Sequence, residues 1–419
     1  MQDALDTSAL KSLVRRANKD YLYWDRFKYL DMPDGVSAED AWRFLKVLRS
    51  FGRADTPVRD NHGHDFTYLL TEEIQRSLHV IDTQAAGSLT TEDVGIPTPE
   101  RYLVSSLMEE AIASSQIEGA STTRRVAKDM LRSGRRPTNR PEQMIANNFR
   151  TVMELRELRD EPLTPGLLVQ VQAWLTEDAI DNADDVGRLR ETDDIYVHDG
   201  YANIVHVPPP ARCLPEELNR LCQYANDDSG FVHPVIKAVT LHFWLAYLHP
   251  FADGNGRTSR ALFLLFMLKK GYWLFEYVSI SRAINKKRGQ YDRAYLYAET
   301  DDCDLTYFLA YNLRAILTAL DDLHRYLQLK VEEDRHLTAV LRHDHTLNHR
   351  QRALLARALK DPEAVFTVEG HRATEGVAYA TARGDLLELA DRDYLKKRKQ
   401  GKAFVFVPSP KLRELLGQT

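Results

Sequence analysis

The sequence predicts a mainly α-helical fold: a helical core carrying a β-hairpin, an N-terminal helical region, and a C-terminal winged helix-turn-helix. Three observations point there. Apolar residues recur at three-four spacing through most of the chain, as in Leu103, Val104, Leu107, Met108, Ala111 and Ile112. Two β-rich runs, Ile195–Val197 and Ile204–Val207, bracket an Asp199-Gly200 turn, the signature of a hairpin. Charge is uneven: residues 341–419 carry 15 Lys/Arg against 10 Asp/Glu, in a chain whose net charge is −5. That asymmetry marks a separate C-terminal module.

Composition fits a globular protein. Of 419 residues, 43% are hydrophobic and 28% charged, which excludes disordered, collagen-like and coiled-coil classes. The length predicts two or three domains. Cys213, Cys222 and Cys303 lie too far apart for a CxxC pair or a disulfide framework, so a reducing cytoplasm is expected. The longest apolar run, Ala261–Leu268, is far short of the roughly 20 residues that span a bilayer. The first residues lack the apolar core of a secretory signal. No global basic excess points to nucleic acid.

Taken in order, residues 1 to about 95 read as mostly helical, with a polar turn at Asp60–Asp65 whose two His and two Asp also suit a metal. A helix runs from about Thr98 and stops near Gly119. Further helices are expected at 141–158 and 165–178. After the hairpin, Pro208-Pro209-Pro210 stops the strand, and helical periodicity returns at 214–227, 233–248 and 258–270. A long helix covers 305–340. The His-rich stretch Arg342–His349 reads as a solvated linker, with metal binding as the alternative. Helices near Arg350–Leu359 and Ala378–Leu389 precede the basic run Lys396–Lys399 and the strand Ala403–Val407, the order of a winged helix.

The chemistry lies in His249-Pro250-Phe251-Ala252-Asp253-Gly254-Asn255-Gly256-Arg257-Thr258-Ser259-Arg260. An apolar helix delivers His249 to its end, and Pro250 stops it. Gly254 and Gly256 permit positive φ and close backbone approach, making an amide nest for an anion. A new helix starts near Arg257 and adds a favourable dipole for phosphate. Arg257 and Arg260 share a helix face and clamp polyphosphate. Asp253 is a hard oxygen ligand for Mg²⁺ beside those phosphates. His249, with an ordinary pKa near 6.5, suits a general base. Together these make a cradle for Mg-nucleotide with a base beside it.

This stretch resembles the Fic family motif, HPFx(D/E)GNGRxxR, at every specified position, and the resemblance extends over roughly residues 100–315. What it implies is transfer of AMP from ATP to a protein hydroxyl, releasing pyrophosphate. His249 is then the base and Asp253 the Mg²⁺ ligand. Gly254, Asn255, Gly256, Arg257 and Arg260 hold phosphate. The related Doc kinases carry a basic residue where this chain keeps Gly256, which favours an ATP orientation that exposes the α-phosphate. The hairpin at 190–207 takes the place of the Fic flap, where an extended target segment pairs with an edge strand. Many relatives carry RxxYY after the core; here Arg288–Asp292 keeps only Tyr291, which either lines an adenine pocket or packs the core.

Ser114-Ser115-Gln116-Ile117-Glu118-Gly119 fits the family's inhibitory pattern, (S/T)xxxE(G/N), with Ser114 and Glu118 at its specified positions. The resemblance implies that Glu118 pairs with Arg260 and withholds it from the γ-phosphate; in some relatives the same Glu supports AMP removal. Residues 345–419 resemble the winged-helix tails of Fic proteins, with Thr381–Leu386 in place of TAxRDL. Arg383 and 396–399 would contact DNA, unless the module binds protein. The expected organisation is thus 1–97, 98–325 and 345–419. The leading function is a cytoplasmic protein adenylyltransferase, restrained by Glu118 and with the chain itself among its substrates; a homo-oligomer fits this class and no membrane partner is expected. The alternatives are a nucleotide-sensing DNA-binding regulator and a Fic enzyme using another nucleotide donor.

Overall fold

The computed structural model describes residues 7–86, 99–198, 203–343, 346–400 and 403–416. These are mostly helical, with three small antiparallel hairpins. The order is α1 (Thr7–Lys19), α2 (Trp24–Phe27), α3 (Ala38–Ser50), β1 (Arg53–Arg59), β2 (Asp65–Leu69), α4 (Glu72–Ala85) and α5 (Pro99–Ile117). Next come α6 (Arg124–Ser133), α7 (Arg140–Glu157), α8 (Pro165–Thr176), β3 (Val197–His198), β4 (Ile204–His206), α9 (Leu214–Asn226), α10 (Pro234–Leu248) and α11 (Asn255–Lys269). Then follow α12 (Ile280–Lys286), α13 (Arg288–Thr300), α14 (Thr306–His343), α15 (His349–Lys360), α16 (Val368–Glu375), α17 (Tyr379–Asp391), β5 (Leu395–Gln400), β6 (Ala403–Pro408) and α18 (Leu412–Leu415). The described residues divide into two compact units, one running to Leu323 and one from His324 onward.

In the first unit, α10 and α11 pack on each other at the centre. Both are buried on nearly every face, as helices that are apolar all round must be. Each fully buried Leu or Phe there, such as Leu241 or Phe243, stabilises the fold by about 1.5–3 kcal/mol. Pro234 and Pro165 sit in the first turns of α10 and α8, where the missing N–H costs nothing. Helix α8 lies against α11, and α7 against both.

The N-terminal region is mostly helical, as expected, with one addition at the polar turn. It contains the β1–β2 hairpin, with Asp60–His64 as its turn. Only Thr56, Val58, Phe66 and Tyr68 point inward, so a short alternation is hidden among charges and Pro57. Asp60 closes the turn by accepting from the His62 and His64 backbones, at 2.9 and 2.7 Å. Nor does the region stand apart from the core. Buried Arg49 donates to the Ala17 and Leu22 carbonyls and to the Tyr307 hydroxyl. Tyr21 and Arg53 both donate to the fully buried Asp304, each at 2.6 Å.

In the second unit, α15, α17 and the β5–β6 hairpin share a core of Leu354, Leu355, Leu386, Leu389, Leu395 and Phe406. Phe366 pairs with Phe406 through two 2.8 Å backbone bonds, adding a third strand segment. Asn348 and Gln351 form a capping box that starts α15, so the end of the His-rich stretch is a helix cap. Its Asp344 and His345 lie outside the described residues, as does the Asp199-Gly200 turn of the central hairpin.

Candidate active site

The loop between α10 and α11 carries the site. His249 is the residue just past α10, in the left-handed region at φ 46, where helices commonly end. Its ring is partly buried. Burial holds its pKa at about 4, and the nearby His206 and Arg190 act in the same direction, against the Ala246 carbonyl and Glu118. At neutral pH His249 is therefore uncharged and able to accept a proton.

Four sets of bonds fix the loop. Asn255 is buried, and its side chain donates to the Phe251 carbonyl at 2.8 Å and accepts from the Phe251 N–H at 2.9 Å. Asn255 thus shapes the cradle rather than reaching into it. Gln172 donates to the Asp253 carbonyl at 3.1 Å. Arg257, without side-chain exposure, donates to the Leu175 carbonyl at 2.8 Å and to Asp253 at 3.3 Å. Arg190 reaches the His249 carbonyl at 2.9 Å. Gln172 and Arg190 had no motif to announce them; Arg190 sits only at the expected foot of the flap.

The two glycines do different work. Gly254 takes φ +87, and a Cβ there would meet Thr176 Cγ2 at 2.8 Å. Gly256 has no positive φ; it is small because Glu118 lies on it. A Cβ at 256 would stand 2.2 Å from Glu118 Oε1. Glu118, just beyond the end of α5, thus lies against Gly256 in the first turn of α11.

Arg260 completes the contact. Its Nη2 lies 2.9 Å from Glu118 Oε1 and donates to the Ser114 carbonyl at 2.9 Å, while Nε donates to Ser114 Oγ at 2.9 Å. Arg260 is buried, whereas the Glu118 side chain keeps 31% exposure. Burial alone would raise the Glu118 pKa; Arg260, with Arg257 and Arg288, outweighs it and holds the carboxyl below its ordinary value. Ser114 and Glu118 are thus brought onto the same arginine.

Helix α5 is itself anchored. Glu110 accepts from Ser279 Oγ at 2.9 Å, from the Ser281 N–H at 3.0 Å and from the Ser281 hydroxyl. Glu109 pairs with Arg124 and Lys128. Ser115 donates to the Met144 carbonyl at 3.2 Å and accepts from Asn148 at 3.3 Å.

Asp253 keeps 36% side-chain exposure and meets Arg257 and Arg140 at 3.3 Å each. No cluster of three or more His, Cys, Asp or Glu exists among the described residues. One accessible carboxylate suits an ion that takes most of its ligands from water and phosphates, as Mg²⁺ does. Tyr291 is buried and hydrogen-bonded with His242 at 2.8 Å and Tyr295 at 3.1 Å, and it also interacts with Arg260.

Residues 162–267 match the model of the Fic/DOC family, and they hold the flap, α10, the loop and most of α11. That stretch is a Fic/DOC-family domain. The chain is 35% identical over 89 residues to a protein adenylyltransferase Fic of Nematostella vectensis, covering 21% of this chain and 19% of the relative. It is 41% identical over 68 residues to the protein of the same name from Aedes aegypti, covering 16% and 14%. The match thus spans about a fifth or less of these relatives. A Fic family protein of Desulfovibrio desulfuricans G20 shares the fold at a TM-score of 0.55 and 20% identity, covering 84% of this chain and 99% of that one.

Proposed function

We propose that this chain transfers AMP from ATP to a hydroxyl of a protein side chain, and that Glu118 restrains the reaction. The observation that carries the reading is the junction of α10 and α11. There an uncharged histidine and the N-terminus of a buried helix, flanked by two buried arginines, meet in one loop. The name that the curated relatives share over this stretch supports it.

His249 takes the proton of the target hydroxyl. The oxygen attacks the α-phosphorus, the bond to the bridging oxygen breaks, and pyrophosphate leaves. The α11 amides, with Arg257 and Arg260, stabilise the charge on the phosphates. Asp253 would hold Mg²⁺, which supplies further charge neutralisation there. The target presents an extended segment to the edge of the β3–β4 flap. Glu118 competes with phosphate for Arg260 and for the space over Gly256. In the reverse reaction the same carboxylate would serve AMP removal.

For the second unit we propose a winged helix that binds DNA. The reading rests on the exposed Arg383 and Lys396–Lys399. A cytoplasmic location is proposed from the free thiols of Cys213, Cys222 and Cys303, and no helix among the described residues is long and apolar enough to cross a membrane.

Purified chain incubated separately with α-labelled and γ-labelled ATP tests the reaction. Label from the α-position alone supports AMP transfer. Label from the γ-position alone replaces it with a kinase, and label from neither leaves a nucleotide sensor.

A further inference from the structure

The last carbonyls of an α-helix have no partner inside it. In α10 they fall at Tyr247, Leu248 and His249, and their partners come from both legs of the flap. On the returning leg, His206 Nε2 donates to the Tyr247 carbonyl at 2.7 Å, while Nδ1 contacts Glu299 at 2.7 Å and sets the ring. On the entering leg, Arg190 Nε donates to the His249 carbonyl at 2.9 Å. Its Nη2 reaches the Leu248 carbonyl at 3.5 Å and also binds the Pro209 carbonyl. Its Nη1 donates to the Thr192 carbonyl at 2.9 Å, and its backbone N–H to the Pro250 carbonyl at 2.9 Å.

This is an unusual use of an arginine. The side chain is 2% exposed, and its one carboxylate partner, Asp193, is 63% exposed and 3.3 Å away. A buried guanidinium so weakly paired is costly unless its N–H groups are satisfied. Here carbonyls satisfy them, and two of these are the carbonyls of Leu248 and His249. A cation at a helix C-terminus also meets the negative end of the dipole. It lies where a non-glycine residue holds a left-handed backbone, a conformation that costs about 1–2 kcal/mol.

We infer that Arg190 and His206 are positioning residues that make the flap the C-terminal cap of the helix bearing His249, so that the flap and the base keep one fixed geometry. A segment paired with β4 is thereby registered against His249 through three carbonyl contacts. The inference rests on the reading of His249 as the base.

The test uses the full chain, with Glu118→Gly as background so that nucleotide enters. Acceptance of α-label from ATP by the chain itself gives the rate, and calorimetry with Mg-ATP gives binding. The His249 ring, assigned by its loss in His249→Ala, is titrated by NMR. Burial, His206 and Arg190 hold its midpoint down, and with Glu118 removed the Ala246 carbonyl is left to oppose them. Arg190→Met should raise the midpoint above that of the background and lower the labelling rate at least tenfold, with Mg-ATP affinity within twofold of the background.

Arg190→Lys separates position from charge. It keeps the cation but cannot span the four carbonyls of Leu248, His249, Thr192 and Pro209, so the midpoint should return while the rate recovers only in part. Full recovery of rate in Arg190→Lys, or a folded Arg190→Met with background rate and midpoint, overturns the inference. If Arg190→Met does not fold, His206→Leu against His206→Gln carries the same comparison at Tyr247, and equal rates in that pair overturn it. A chain that never accepts label from ATP refutes the proposed function instead, while the His249 midpoint still reports on the cap.

Discussion

Replacing Glu118 with glycine tests the restraint most directly. The carboxylate makes a 2.9 Å charge-assisted contact with Arg260 and lies over Gly256, where a phosphate would sit. Such contacts are worth about 1.5–3 kcal/mol when buried. The side chain keeps 31% exposure, so the lower end applies, about 1.5 kcal/mol or roughly tenfold in apparent ATP affinity. Arg260 should not drift once freed. Ser114 still holds it through Oγ and the carbonyl, at 2.9 Å each, and keeps it aimed at the cradle. Glu118→Gly should therefore raise self-labelling from α-labelled ATP about tenfold at subsaturating ATP, and Ser114→Ala alone far less. Glu118→Gly with Arg260→Ala should lose most of the gain, since the released arginine is its cause. Folding should change little, because Glu118 follows the last residue of α5; the thermal midpoint should fall by no more than about 3 °C. Equal labelling of wild type and Glu118→Gly across ATP concentrations refutes the competition argument. A simultaneous loss of AMP release from pre-labelled chain would assign Glu118 to removal instead.

In the Glu118→Gly background, His249→Ala should abolish labelling, while calorimetry finds Mg-ATP affinity within a few fold of the parent; undiminished labelling sinks the base assignment. The pH profile should lack a step near 6.5: with the His249 pKa at about 4 in the folded chain, labelling should stay flat from pH 8 down to about 5.5. The same depressed pKa makes the unfolded chain bind the extra proton between pH 6.5 and 4, so wild type should lose stability as pH falls through that window, and His249→Ala less so. In mobility shifts the full chain should bind duplex DNA weakly and with steep salt dependence, and changing Lys397, Arg398 and Lys399 to Ala should flatten the salt slope. No shift by wild type even at low salt moves the second unit to a protein partner.

The helices around the site were legible because their periodicity and caps are local. Pro234 opening α10 and Pro250 following it, and Gly254 preceding α11, mark ends that the chain respects. The twelve-residue motif put His249 at a helix end and Gly254 at the start of the next helix for the same reason: adjacent residues need little tertiary information. Glu118 and Arg260 were joined through family resemblance, since nothing local links residues 142 positions apart. What stayed hidden was of two kinds. The β1–β2 hairpin has a burial pattern of two residues per strand, too short to stand out from its charges. Gln172 and Arg190 act by donating to backbone carbonyls, and a carbonyl leaves no mark in the sequence of its partner. Asn255 shows the limit from the other side: its position is within the motif, yet its side chain holds Phe251 in place.

The anchors along α5 have a consequence for how restraint is lifted. Between Glu109 and Ser115 the helix is tied to Arg124, Lys128, Ser279, Ser281, Met144 and Asn148, whereas Glu118 lies beyond its last turn on a partly exposed side chain. Lifting the helix would break all of these bonds together. Turning the Glu118 side chain breaks one ion pair. Rotamer changes of exposed side chains take picoseconds to nanoseconds, whereas collective motions of helices take microseconds to milliseconds. The restraint proposed for Glu118 would therefore be a fast-flickering one, with a standing leak set mainly by its ion pair with Arg260. High ATP, by capturing the moments when Arg260 is bare, should act as its own activator without any movement of the backbone.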